Sequence, residues 1–513
     1  MSKQSIKETW LDNAISWISP QAGVRRMHAR LIQENARIQF RGYEGASKGR
    51  RLGGWNPPPS SANSETRVSL KALRSRSRDL CRNEAYAIRA VNTIVTNVIG
   101  EGFLAKAKAK TEGRSKIFQV EWLDWAQSLD CDFDGLNTFA ALQALVMRTI
   151  VESGEVLVRR VRRDSTSGLS VPMQLQILEP DFLDDSKDGE VFSDGSFNIQ
   201  GIEFSKEGKR KAYWLFQKHP GDTYGGITLQ GVNSVRVPAE EVLHIFRVER
   251  AGQVRGVPWL APVMLKIKDL SDYSDFTLVR QKVSACFTAF VTAPDSLDLK
   301  VGSSAQTPAI GAKLEPGVTE QLPPGYSVEF ASPPTSGDFS QFSNAQLRAL
   351  SAGMGITFET LTNDYSNCTF SSGRMGWQEF QRHIDQWRAH LITPRFCIPV
   401  WRWFTETAGI AGFGSDKVVA IWTAPKREMI DPTKEVEALK SEVRSGLKSL
   451  PEAIRQNGYE PSEVFNEIAE TNKELDRLKL ILETDPRQDI GVEKAKAEEA
   501  PKTGKEKPKK EDS

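Results

Sequence analysis

Three places in this 513-residue chain gather side chains that could do chemistry. Asp130-Cys131-Asp132-Phe133-Asp134-Gly135 opens like an EF-hand calcium loop, with carboxylates at alternate positions and a glycine at the sixth. Such a loop needs a bidentate carboxylate at its twelfth position, and here that position is Ala141, with Thr138 at the ninth. Coordination of a hard cation is incomplete, so no calcium site is expected. His383 and His390 stand seven apart and could share a helix face, but no third ligand accompanies them. Asp184 and Asp185 form an adjacent carboxylate pair, yet the surrounding DFLDDSKDG has the chemistry of turns. The chain carries no GxxxxGK[ST], HExxH or GxSxG motif, which removes the common ATPases, zinc proteases and serine hydrolases. No catalytic residue, metal ligand or cofactor is assigned.

Composition sets wider bounds. Apolar residues make up 39% and charged residues 26%, ordinary for a globular protein of several domains. No run of 18 apolar residues occurs, so no transmembrane helix and no membrane partner are expected. The five cysteines are scattered and odd in number, which predicts reduced thiols in a cytosolic setting. Net charge is +2, but residues 1–78 hold 15 Lys/Arg against 5 Asp/Glu. That basic arm is either a solvated segment or a contact for nucleic acid or an acidic protein surface.

Elements that would position any site follow from periodicity. Ile6, Trp10, Ile15 and Ile18 space as a small amphipathic helix, and residues 41–64 are a Gly/Pro/Ser linker. One long helix is predicted from Ser69 to Gly100, with Arg74, Arg78 and Arg82 on a second face that is either a charged solvent face or a contact for nucleic acid or a neighbouring subunit. Residues 117–150 read as two helices. Alternation then marks strands at Val156–Val158 and Met173–Ile177, a hairpin over 202–217 turning at Glu207-Gly208, and strands through 235–248. The body is therefore α+β over 65–258. A helix of roughly 40 Å runs from Pro258 to Ala285. A Pro/Gly-rich β unit follows over 286–334, and a helix over Phe339–Met354 returns. Glu359–Gly376 reads as a polar loop, and Trp377 to Leu391 as an amphipathic helix. After a strand at Val418–Trp422, Asp431 and Pro432 start helices that run to Leu482, with Asn457-Gly458 as a stop. Residues 493–513 hold seven Lys and six acidic residues without an aromatic, so the tail is expected to be disordered.

The stretch Val237–Pro262, VPAEEVLHIFRVERAGQVRGVPWLAP, is the most specific in the chain: a short strand, an Arg/Gly loop, then prolines that open a helix. With SANSETRVSLKALRSRSRDLCRNEAYAIRAVNTIVTNVIGEG (61–102), SGEVLVRR (153–160), LQILEPDFL (175–183), GIEFSKEGKRKAYW (201–214), LEPGVTEQLPPGYSVEF (314–330), SSGR (371–374) and IDPTKEVEAL (430–439), it resembles the lambda-type portal proteins of tailed bacteriophages. The resemblance spans roughly residues 20–470 in the family's order. It departs at Phe370, where the family pattern has Tyr before Ser-Ser.

The resemblance implies a structural, non-enzymatic subunit of a homo-oligomeric ring of about twelve copies. That ring would stand at the capsid portal vertex of the virion, assembled in the host cytoplasm. Double-stranded DNA would be its translocated cargo during packaging and ejection. Terminase large subunit, capsid shell or scaffold proteins, and head-completion or tail-adaptor proteins would be its partners. Laid on the chain, it implies a basic arm (1–64), a wing (65–258), stem helices (259–285 and 335–358) and a β-rich clip (286–334). A tunnel loop (359–376), a tunnel helix with its return to the wing (377–429), a helical crown (430–484) and a charged tail (485–513) follow. Ser371, Ser372 and Arg374 would lie near passing DNA; alternatively Arg374 caps or bridges subunits. Two other readings compete: a metal-dependent DNA-processing enzyme, which needs clustered ligands, and another head protein of the shell or scaffold type.

Overall fold

The computed structural model describes residues 10–39, 57–224, 227–228, 233–285, 289–292, 327–330, 339–414, 417–480 and 482. Two units pack separately, Met1–Ser61 and Ala62–Ser513. The first holds helices α1 (Trp10–Ile18) and α2 (Pro20–Gln39), which pack on each other.

The second unit is α+β. It opens with α3 (Ala62–Asn83) and α4 (Ala85–Ile99), where one helix was expected. The break is at Glu84, whose backbone is extended (φ −113°, ψ 118°). It lets α3 run along the surface while α4 turns inward, with Ala87, Ala90, Val91, Ile94 and Val98 fully buried. Strand β1 (Leu104–Lys108), α5 (Glu112–Gln127) and α6 (Phe139–Ser153) follow, the two helices matching the expected pair.

Strand β2 (Glu155–Arg162) is the centre of an antiparallel sheet, between β3 (Met173–Leu178) and β10 (Val242–Phe246). Glu155, Val156, Leu157 and Val158 are all buried, so both faces of β2 are covered. Val156 and Val158 join the main core, and Leu157 a second, smaller one. That smaller core lies under a sheet ordered β4 (Phe197–Ile199), β5 (Ile202–Phe204), β6 (Arg210–Phe216), β9 (Ser234–Pro238). The β5–β6 hairpin turns at Glu207-Gly208 as its sequence predicts. Along the chain, β6 and β9 are separated by a short hairpin of its own, β7 (Thr223–Tyr224) with β8 (Ile227–Thr228).

Helix α7 (Met264–Ala285) begins later than Pro258, because Trp259 and Leu260 are buried in turns before it. Its 22 residues span about 33 Å. Helix α8 (Phe339–Met354) has the predicted bounds. Between them β11 (Ala289–Thr292) pairs antiparallel with β12 (Ser327–Phe330). The remainder of the expected β unit at 286–334 lies outside the described residues, as do most of the 41–64 linker and the 485–513 tail.

Next come α9 (Phe358–Thr362) and α10 (Phe370–Trp387), which continues through a π-helical stretch, Arg388–Cys397, into α11 (Ile398–Ala408). Pro394 lies in the π stretch, where the wider helix accommodates its missing N–H. This long element packs the aromatic centre of the main core: Trp122 meets Trp401 at 4.9 Å and Phe404 edge-on at 5.0 Å. Strand β13 (Val419–Thr423) returns to pair with β1. The chain ends in α12 (Pro432–Arg444), α13 (Leu450–Gln456) and α14 (Pro461–Leu478). Asp431 caps α12 through Lys434 N–H, as its position before Pro432 predicts. Among the described residues no helix is long and apolar enough to cross a membrane.

Candidate functional site

The most specific stretch of sequence folds around one buried carboxylate. Glu155, the first residue of β2, has no exposed surface. Arg255 donates to it from Nε at 2.8 Å and Nη2 at 2.7 Å. His244 Nε2 lies 2.8 Å away, the Gly256 N–H donates at 2.7 Å, and Arg74 Nη2 at 3.2 Å. Arg255 also donates to the Gln200 carbonyl at 2.8 Å. Burial would raise the Glu155 carboxyl, but Arg255, His244 and Arg74 outweigh it and hold the group well below the carboxylate range. Burial lowers His244 to about 4, so the imidazole is neutral and its Nε2–H donates to the carboxylate.

Two glycines make this approach possible. Gly154 has φ +90°, and a Cβ there would lie 2.4 Å from the Val257 carbonyl carbon. A Cβ on Gly256 would lie 2.2 Å from the Gly154 oxygen and 2.8 Å from Glu155 Cβ. SGEVLVRR and QVRGVPW are thus two halves of one joint. Asn63 at the start of α3 pins the joint's loop, accepting from Val254 N–H and donating to the Gly252 carbonyl.

The arginine row of α3 does not face solvent as its spacing suggests. Arg74 is buried on Glu155, and Arg78 reaches Asp181 at 2.5 Å, Glu179 at 3.0 Å and Ser153 Oγ at 3.1 Å. Of the three, only Arg82 is solvent-exposed, beside Asp79. Their partners come from β2 and the turn after β3, distant in sequence, which a local pattern does not reveal. Two further arginines tie elements together. Arg160 on β2 grips Glu241 and, at 2.7 Å, Glu406 of α11. Arg388 donates to the Val98 and Asn97 carbonyls, both at 2.8 Å, neutralising the negative end of α4.

Ser371 and Ser372 stand in the first turn of α10 and Arg374 just past it, because the expected loop over 359–376 is helical at both ends. Thr369 and Ser372 form a reciprocal capping box, with Ser372 N–H donating to Thr369 Oγ1 at 3.3 Å and Thr369 N–H to Ser372 Oγ at 3.0 Å. All three candidates are exposed, as are Phe370 and Met375 beside them. They therefore share one turn, but only Ser372 has an assigned local bond. Arg374 lines a cleft of about 1070 Å³ between α10, β13 and the C-terminal helices, together with Arg382 and Arg427. The Asp431 carboxyl is held low by Lys434 and, to a lesser degree, by the charge of Arg374.

The carboxylate and histidine groupings have other occupations. Asp132 Oδ2 accepts the Leu136 and Asn137 N–H groups at 3.1 and 3.0 Å, closing a turn. Asp184 accepts from Ser186 and Ser234. His383 and His390 border one pocket, with His383 Nδ1 on the Gly355 carbonyl at 3.0 Å. Glu179, Asp181 and His219 converge with ligand-like spacing, but the Arg78 guanidinium already fills the gap between the two carboxylates. Burial pushes the Cys81 and Cys131 thiols up to about 12, which suits small core residues.

Sequence reasoning missed Glu155 and its partners. The available signal was a glutamate flush against a run of three apolar strand residues, Val156–Val158, which a buried strand tolerates only with cations supplied from elsewhere.

Glu155 and its partners all lie within the stretch that a known family matches. A family model described as phage portal protein, lambda family, matches residues 48–388. The probable portal protein of Halomonas phage phiHAP-1 is 27% identical over 431 residues, covering 80% of this chain and 81% of the relative. Portal protein B of Escherichia phage lambda is 22% identical, covering 84% and 90%. A chain of the neck of a native gene transfer agent particle, computed with C12 symmetry, aligns with 78% of this chain and 99% of its own length, at 14% identity and a TM-score of 0.44. Since the family model covers well over half the residues and spans the Glu155 joint from α3 to Arg255, the chain belongs to the lambda family of phage portal proteins.

Proposed function

We propose that this subunit forms the ring of about twelve copies at one capsid vertex through which double-stranded DNA enters and leaves. The observation that carries this is the family match across residues 48–388. In this reading the chain is a conduit and not an enzyme, a component of the virion assembled in the host cytoplasm. Residues 65–258 serve as wing, α7 and α8 as stem, 286–334 as clip, 359–429 as tunnel segment and 430–484 as crown. The helix-out, strand-pair, helix-back order of α7, β11–β12 and α8 supports the stem and clip. The clip then meets the terminase large subunit and later the head-completion or tail-adaptor proteins, and the outer surface meets shell or scaffold.

DNA must slide, so the lumen cannot grip phosphates strongly. Each neutralised phosphate adds a salt-dependent binding term, and a ring repeats every lumenal arginine. Ser371, Ser372 and Arg374 suit this: two neutral hydroxyls and one cation on an exposed helical turn. The competing role for Arg374 is to cap or to form a salt bridge between subunits.

Two tests follow. Heads assembled with this subunit should contain nuclease-protected DNA, and heads without it none; protected DNA in its absence would defeat the conduit reading. Arg374→Ala should lower packaged DNA if the side chain meets DNA, or lower ring yield if it bridges subunits. A variant normal in both would remove both roles.

A further inference from the structure

We propose that Arg89 is a positioning residue: it latches the segment Asn363–Arg374 to the rigid body of the subunit and so sets where that segment stands against DNA. The latch stands on geometry alone; its bearing on DNA rests on the conduit reading. Helix α4 is the fixed side, because Ala87, Ala90 and Val91 around Arg89 are fully buried while Arg89 itself reaches the surface. Its Nε donates to the Thr360 carbonyl at 3.1 Å, and its Nη2 donates to Asn363 Oδ1 at 2.7 Å. The Thr360 carbonyl belongs to the last turn of α9, where donors within the helix run out. Asn363 ends that helix in the left-handed conformation (φ +56°), which asparagine tolerates better than most residues, and its N–H returns to the Glu359 carbonyl at 2.8 Å. One planar guanidinium therefore holds the end of α9 and the first residue of the segment together.

Past Asn363 little else in the subunit holds the chain. Leu361 is buried, but within one subunit no residue from Thr362 to Glu379 is, and α10 first enters the core at Phe380. The polar contacts inside the segment are local. Asp364 accepts from Ser366, the Cys368 N–H donates to the Tyr365 carbonyl at 3.0 Å, and Thr369 and Ser372 cap each other. Among the described residues, the bond from Arg89 to Asn363 is the one hydrogen bond or ion pair that joins Asn363–Arg374 to an element other than α9 and α10. A span with few buried contacts and one outside tie opens locally at low cost, and that tie decides how often it opens. The competing tether is a neighbouring copy in the ring, and the experiment separates the two.

The experiment uses the full-length protein, with native mass taken to record its assembly. Opening of the segment is read as the rate of chymotrypsin cleavage after Tyr365, which is exposed there. Arg89→Ala removes both bonds, and Asn363→Gly keeps the left-handed backbone while removing the acceptor. Arg89→Ala should speed cleavage about three- to tenfold without moving the melting temperature. It should add less in the Asn363→Gly background than alone, because both changes act on one bond. Arg89→Lys, with one ammonium for two acceptors, should fall between Arg89→Ala and the unaltered protein. Cleavage unchanged by Arg89→Ala, or an equal increment in both backgrounds, would overturn the latch. So would acceleration seen in free subunits but absent from closed rings, because the neighbouring copy would then be the tether. Heads built with Arg89→Ala subunits should form rings in normal yield and hold severalfold less nuclease-protected DNA. Faster cleavage with normal DNA content would overturn the segment's bearing on DNA, whereas heads of the unaltered protein that hold no DNA would defeat the conduit reading whatever the cleavage rates.

Discussion

Glu155 shows how much a single buried charge can organise. Its carboxylate takes hydrogen bonds from four residues on α3, β10 and the loop after β10, so removing its charge strands two buried guanidinium groups. Glu155→Gln should destabilise the folded chain by about 3–5 kcal/mol, read as a drop in the denaturant midpoint or as loss of soluble protein. An unchanged midpoint would mean the cluster is not structural. His244 gives a pH signature. Its imidazole protonates near 6.5 when unfolded but only at about 4 when buried, so the unfolded chain binds the extra proton between those values. Stability should therefore fall as pH falls from 6.5 toward 4, by up to about 3 kcal/mol. Glu155, depressed in the folded state, adds stability that is present above its ordinary value and is lost at still lower pH. Melting temperature against pH should flatten across the upper window in His244→Gln; an unaltered slope would place the titration elsewhere.

At the scale of elements, periodicity revealed what lay on one face and hid what crossed between faces. The bounds of α8, the β5–β6 turn and the Asp431 cap were legible because each follows from neighbours within a few residues. The break at Glu84 was not, since no Gly or Pro marks it; α4 turns inward because its apolar face is wide enough to be surrounded. Thr369 and Ser372 read as loop because Thr, Ser and Gly are rich there, yet their hydroxyls, three residues apart, cap a helix. Thr369→Ala should cost roughly 1 kcal/mol locally and fray the first turn of α10. Hydrogen exchange at Ser372, Gly373 and Arg374 should accelerate while the buried end of α10, near Ile384, stays protected. Equal protection at both ends would show that the cap does not hold the turn.

For the molecule as a whole, order along the chain was more informative than any local cluster. Separate segments from SANSET to IDPTKEV carried the family resemblance, and several meet at the Glu155 joint: α3 through Arg74, SGEVLVRR through Gly154 and Glu155, and VPAEEV…RGVP through His244, Arg255 and Gly256. The DNA-facing candidates were less legible, because exposure toward a lumen depends on neighbouring copies that no single sequence displays. The most direct test of the conduit account is electron microscopy of the purified full-length protein, with native mass taken alongside. The account predicts closed rings with a central channel and about twelve subunits. A folded monomer that cleaves DNA on addition of a divalent metal would contradict it.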